Sequence, residues 1–193
     1  MNKEFLSALA IILMIAAYVP YIRSIYRGQT KPHVFSWLIW GLATAVVFLA
    51  QTADGAGTGA RSIGISAVAA LYIAFLAYQR RSANPNTKAD WVFFTLAVTS
   101  LPIWYLTHNP FWAVVILTVV DTLGFGPTFH KSYHKPYEEH LSLYLLMTLS
   151  NLISITALEN YSWTTVLFPA VVSLTCIVFI ALVLLRRASI KPS

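Results

Sequence analysis

Charge is what this chain has least of. Ten per cent of its 193 residues are Asp, Glu, Lys or Arg, against roughly 25% in a soluble domain. So few charges cannot cover the surface of a water-soluble protein of this size, and that class is excluded. Acids are scarcer than bases, seven against thirteen, and only Asp121 stands well inside an apolar run. With one cysteine, Cys176, no disulfide forms within the chain, and the redox compartment is unreadable. No serine or cysteine lies in a nucleophile motif, and no second ionisable group converges on Asp121. The pattern argues against an enzyme.

What is there is apolar: 58% of the residues. Seven runs approach the length of about 20 residues that a membrane-spanning helix needs. They are Phe5–Ile22, Val34–Gln51, Ser62–Tyr78, Trp91–Leu106, Phe111–Phe129, Leu141–Leu158 and Trp163–Leu185. The expected fold class is an all-α integral membrane protein, one polytopic domain of seven transmembrane helices. If the spans alternate, one side holds Arg23, Arg27, Lys31, Arg80, Arg81, Lys88, Lys131, Lys135, Arg186, Arg187 and Lys191. The other holds Lys3 and Arg61. The positive-inside rule then puts the N-terminus outside and the C-terminus in the cytoplasm, in a plasma (inner) membrane. Six or eight spans would spoil this segregation.

A formal charge of +6 would suit nucleic acid, but these bases sit at helix ends rather than along one face. Anionic headgroups are the better partner. Lys3 is offset by Glu4 and no small-x-small cleavage site follows, so the first run reads as a retained helix rather than a signal peptide.

The seven runs also repeat. Pro20 and Pro127 are 107 residues apart, as are Tyr26 and Tyr133. Ser36 and Ser142 are 106 apart, as are Arg80-Arg81 and Arg186-Arg187. One single-residue gap aligns three helices with three helices. A three-span unit joined directly to its copy would point the two in opposite directions. An added fourth span restores the parallel arrangement, one of the known transporter plans. The expected organisation is 3+1+3: residues 1–81 as the first repeat, 82–109 as linker and fourth helix, and 110–193 as the second repeat.

Proline near the end of the first and fifth helices, a short basic link, and Ser36 and Trp40 opening the second helix resemble the PQ-loop superfamily. That group includes the SWEET sugar carriers, the lysosomal cystine and cationic amino-acid exporters and the KDEL receptors. The resemblance spans essentially the whole chain and implies a carrier or receptor fold of two parallel three-helix repeats. The sequence departs from the family in places. The Pro-Gln pair is Pro20-Tyr21 and Pro127-Thr128 here, and Leu146 stands where the first copy has Trp40. The asparagines of SWEET-like pockets are missing from the third and seventh helices. The likeness favours the fold over sugar as substrate.

Within this frame Pro20 and Pro127 read either as paired hinges or as marks of where each helix ends. Asp121 would cost at least about 2.5–3.5 kcal/mol as a charge in the membrane. It reads as a coupling or substrate-binding residue, or as a neutral acid bonded to a neighbouring helix. Its counterpart in the first half is Met14. Trp37, Trp40, Thr44 and Gln51 share one face of the second helix. Trp40 and Thr44, with Thr148 and Asn151 on the sixth, are the expected pocket around a small polar solute. The alternatives are interhelical hydrogen bonds and an interfacial aromatic belt.

Thr87 with Asp90 suits a helix cap, and Asp54 with Arg61 a surface pair. His130, His134 and Glu138–His140 form a solvated link; a metal site is the lesser reading, because Lys131 and Lys135 lie beside it. Alternating-access transport of a sugar, amino acid or similar polar metabolite is the expected function, with a non-transporting receptor of the same fold as alternative. No cofactor or metal is expected, and homo-oligomerisation is left open.

Overall fold

The computed structural model describes residues 2–28, 32, 34–80, 88–134, 136–138 and 141–189. Its eight α-helices are α1 (Lys3–Tyr26), α2 (Val34–Ala53), α3 (Arg61–Gln79), α4 (Lys88–Thr107), α5 (Pro110–Gly124), α6 (Gly126–His134), α7 (Leu141–Thr156) and α8 (Trp163–Ser189). Short 3-10 turns at Gly57–Ala60 and Pro136–Glu138 complete it. Every apolar run of the sequence is helical over most of its length. Asn2 caps α1 by accepting from the Glu4 amide. Asn109 caps α5 in the same way, with Pro110 in the first turn.

Three stretches are long and apolar enough to cross a membrane: Lys3–Tyr26, Gly57–Gln79 and Trp163–Ser189. The described apolar parts of the other helices, Trp37–Ala53, Phe94–Thr107, Pro110–Gly124 and Leu141–Thr156, are shorter. Among the described residues, three candidate crossings are thus present. The patterning is that of a membrane protein. Ile12, Val68 and Leu174 are 62%, 67% and 61% exposed, while serines and threonines are buried among the apolar residues of the interior. Such an outward apolar girdle is stable only against lipid.

Two helices differ from expectation. Helix α1 does not stop near Pro20 but runs through it to Tyr26. The fifth run does not form one helix. The helical path tightens at Phe125, between Gly124 and Gly126, where its amide bonds back three residues to the Thr122 carbonyl, and Pro127 falls in the first turn of α6, where a missing amide proton costs least.

Small residues let the helices approach. A Cβ on Gly41 would lie 2.7 Å from Leu71, and one on Gly64 would lie 3.0 Å from Phe48, which explains the close α2–α3 pair. Helix α1 buries Leu6, Ser7, Ala10, Met14, Ala17 and Tyr18 along one stripe. Ser150 of α7 donates to the Ala10 carbonyl across that face at 2.8 Å.

The pairing of helices has its own regularity. Helix α3 packs along both α1 and α2; likewise α8 packs along both α5 and α7. Between these groups α1 pairs with α7 and α2 with α5, while α2 touches α8 and α3 touches α7. Exchanging α1, α2 and α3 for α5, α7 and α8 maps this pattern onto itself. Helix α4 lies outside it, against α5 and α2.

Candidate functional site

Polar side chains concentrate in three places along the bundle: its centre and its two ends. At the centre the Tyr18 hydroxyl of α1 shares a hydrogen bond of 2.8 Å with Ser66 of α3. Asp121 of α5 is buried to 9% exposure. Both the Tyr18 hydroxyl and the Cys176 thiol of α8 lie within electrostatic reach of its carboxyl. Cys176 in turn meets the Thr148 hydroxyl of α7, which donates to the Tyr144 carbonyl one turn back at 2.8 Å. Side chains of α1 and α8 thus approach the acid, and α3 and α7 stand behind them.

Aromatic rings close the side of this centre. Tyr18 stands edge-on to Trp37, with centroids 6.4 Å apart, and Trp37 stands edge-on to Trp40 at 5.4 Å. Tyr21 is 5.1 Å from Trp37. Trp40 reaches across to α5. A Cβ at Gly124 would sit 2.8 Å from its indole nitrogen. Gly124 is three residues beyond Asp121, hence on the same helix face. Glycine at 124 is therefore what seats the tryptophan.

Of the five expected pocket residues, the structure brings Asp121 and Thr148 to one cluster through Cys176, and places Trp40 on the same side of α5. Thr44 and Asn151 are buried, at 8% and 3% exposure. They lie one turn from Trp40 and Thr148 on the same helices. Asp121, Thr44 and Asn151 make no side-chain hydrogen bond among the described residues. Pro20 is exposed, and the Pro127 side chain lies outside the described residues. So do the side chains of His130, Lys131 and Glu138, and residues Thr87, Lys135, Glu139 and His140. Tyr18, Ser66, Cys176 and Gly124 belong to the centre although the sequence did not single them out for it. A tyrosine and a serine facing inward from apolar runs were the available signals.

One end carries a continuous seam. Ser7 donates to the Thr58 carbonyl at 2.7 Å and Thr58 to the Ala157 carbonyl at 3.1 Å. The Glu159 amide donates to the Ala56 carbonyl at 3.1 Å, and Lys3 to the Leu158 carbonyl at 2.7 Å. Gln51 donates to the Thr165 carbonyl at 2.9 Å, while its own carbonyl oxygen has no hydrogen-bond partner among the described residues. Asp54 accepts from the Ser162 hydroxyl, and its backbone carbonyl accepts from Asn160. The expected Asp54–Arg61 pair does not form. Arg61 instead pairs with Glu4 at 2.6 Å because α3 and α1 start side by side.

The opposite end has two matching latches. Arg80, at the end of α3, donates to the Tyr26 carbonyl of α1 at 3.0 Å and lies over its ring, 5.2 Å from the centroid. Arg186, near the end of α8, donates to the Tyr133 carbonyl of α6 at 2.9 Å and lies 4.0 Å over that ring. These are the residues that the sequence offset pairs.

No family model matches this chain, and neither a curated protein nor a solved structure matches it.

Proposed function

We propose that the chain is a small-solute carrier of the plasma (inner) membrane, built as two parallel three-helix repeats joined by α4 and divergently related to the PQ-loop superfamily. One observation carries this reading: a helix-pairing pattern that maps onto itself, with an arginine latch at the equivalent place in each half. A site between two such halves is reachable from either surface as they rock. The polar centre lies between helices of both halves, which is where a transported solute would pause. The seam ties α1, α2 and their following turn to the α7–α8 link. Each latch stays within one half. In this reading the seam is the closed outer gate and the latch end faces the cytoplasm, in keeping with the basic residues there.

Flux is the test. Purified protein in proteoliposomes is expected to exchange a labelled polar metabolite across the bilayer, and Asp121→Asn to lower that flux at least about tenfold. Saturable solute binding with no flux in any gradient would defeat the carrier reading in favour of a receptor.

A further inference from the structure

Resting on the carrier reading, the question left by the polar centre is which solutes its chemistry accepts. Among the described residues no Lys, Arg or His is buried. The centre therefore offers a carboxyl and nothing cationic to answer it. Asp121 is also unbonded there, although serines and threonines around it find carbonyls. A buried carboxylate with no hydrogen-bond or cationic partner among the described residues is complementary to a cation brought from outside. Tyr18 stands within electrostatic reach of Asp121 and begins a chain of ring contacts that runs through Trp37 to Tyr21 and Trp40, and Trp40 returns to α5 at Gly124. Aromatic faces attract an alkylated ammonium electrostatically and need no hydrogen-bond donor from it.

We infer that the centre takes a small monovalent organic cation, an alkylated ammonium without a carboxylate, with Asp121 as its counter-ion and Tyr18, Trp37 and Trp40 as its wall. A substrate carboxylate would find no buried basic group among the described residues and would sit against Asp121. Zwitterions and anions are thus disfavoured by the same arrangement that favours the cation.

The inference is tested on the full chain in nanodiscs with three probes of similar shape. These are choline, its uncharged isostere 3,3-dimethylbutanol, and the zwitterion betaine. Binding is read by tryptophan fluorescence and by thermal shift. Choline is expected to bind saturably, the other two at least about tenfold more weakly. Trp37→Leu should weaken choline several-fold. Asp121→Asn should erase the preference for choline over the isostere, and Asp121→Glu should keep it. Equal binding of choline and the isostere to the native protein would overturn the inference, even if Asp121→Asn failed to fold. No binding of choline would do so too. Choline binding without flux would support this inference and defeat the carrier reading; glucose flux without choline binding would do the reverse.

Discussion

The two ends of the bundle are tied in different ways. At the end where α1 begins, hydrogen bonds run from one half to the other: Thr58 to Ala157, Glu159 to Ala56, Gln51 to Thr165. At the end where α1 finishes, Arg80 and Arg186 each grip a carbonyl and a ring of their own half. The first kind of tie resists separation of the halves. The second stiffens each half and leaves their separation free. On the carrier reading, halves stiffened separately and fastened along one rim are the elements of a rocking motion.

Covalent locking tests this contrast most severely. In the Asp54→Cys, Ser162→Cys double variant a disulfide would replace the native hydrogen bond across the seam. Flux is expected to fall at least about tenfold under oxidation and to return with reductant, since only one of two states remains populated. Unchanged flux in the oxidised protein would mean that the seam never opens.

Two glycines compare the ends next. A Cβ at Gly59 would meet the Leu158 backbone at 2.8 Å, so Gly59→Ala should force the seam apart and cost about 1–3 kcal/mol in unfolding. Gly28, at the other end, has open space around it and a φ of +71°. Its change to Ala should cost about 1–2 kcal/mol, the left-handed strain alone, and leave flux kinetics intact. If Gly28→Ala impaired transport more than Gly59→Ala, the assignment of roles to the ends would be reversed.

The latches sharpen the comparison within one end. Arg80→Ala and Arg186→Ala should each lower stability by about 1–2 kcal/mol, through a lost charged hydrogen bond and a lost ring contact. Their effects should add, because the two sites share no partner. Strong coupling in the double variant would show that the latches bridge the halves after all. The smallest change is expected for Glu4→Gln. It breaks an exposed pair with Arg61 and should move stability by less than about 1 kcal/mol, measured as a shift in the melting midpoint.

The helices were legible because lipid imposes length and composition on a spanning segment, and the apolar runs carry both. The offset between the two sets of residues has a related origin. Arg80 and Arg186, or Tyr26 and Tyr133, hold equivalent places at helix ends, where few residue types serve. Their actual contacts were not legible, since an arginine at a helix end signals a headgroup as readily as a ring. The tightened turn at Phe125 was hidden inside a continuous apolar run, although Gly124, Gly126 and Pro127 spell a cluster of breakers. Asp121 stood out because charge in lipid is costly. Its neighbours Tyr18, Ser66 and Cys176 did not, because an inward hydroxyl or thiol looks like any packing residue until tertiary structure supplies its neighbour. Arg61 chose Glu4 over Asp54 for the same reason: proximity across helices decided it, not proximity in sequence.

The tightened turn at Phe125 has a mechanical corollary. Helix α1 passes through its proline as one rod, whereas the corresponding part of the second half is divided between α5 and α6. On the carrier reading, that tightened turn would let α5, α6 and the elements they carry take most of the stroke. The aromatic side chain of Trp40, lodged against Gly124 beside that turn, is then placed to feel it.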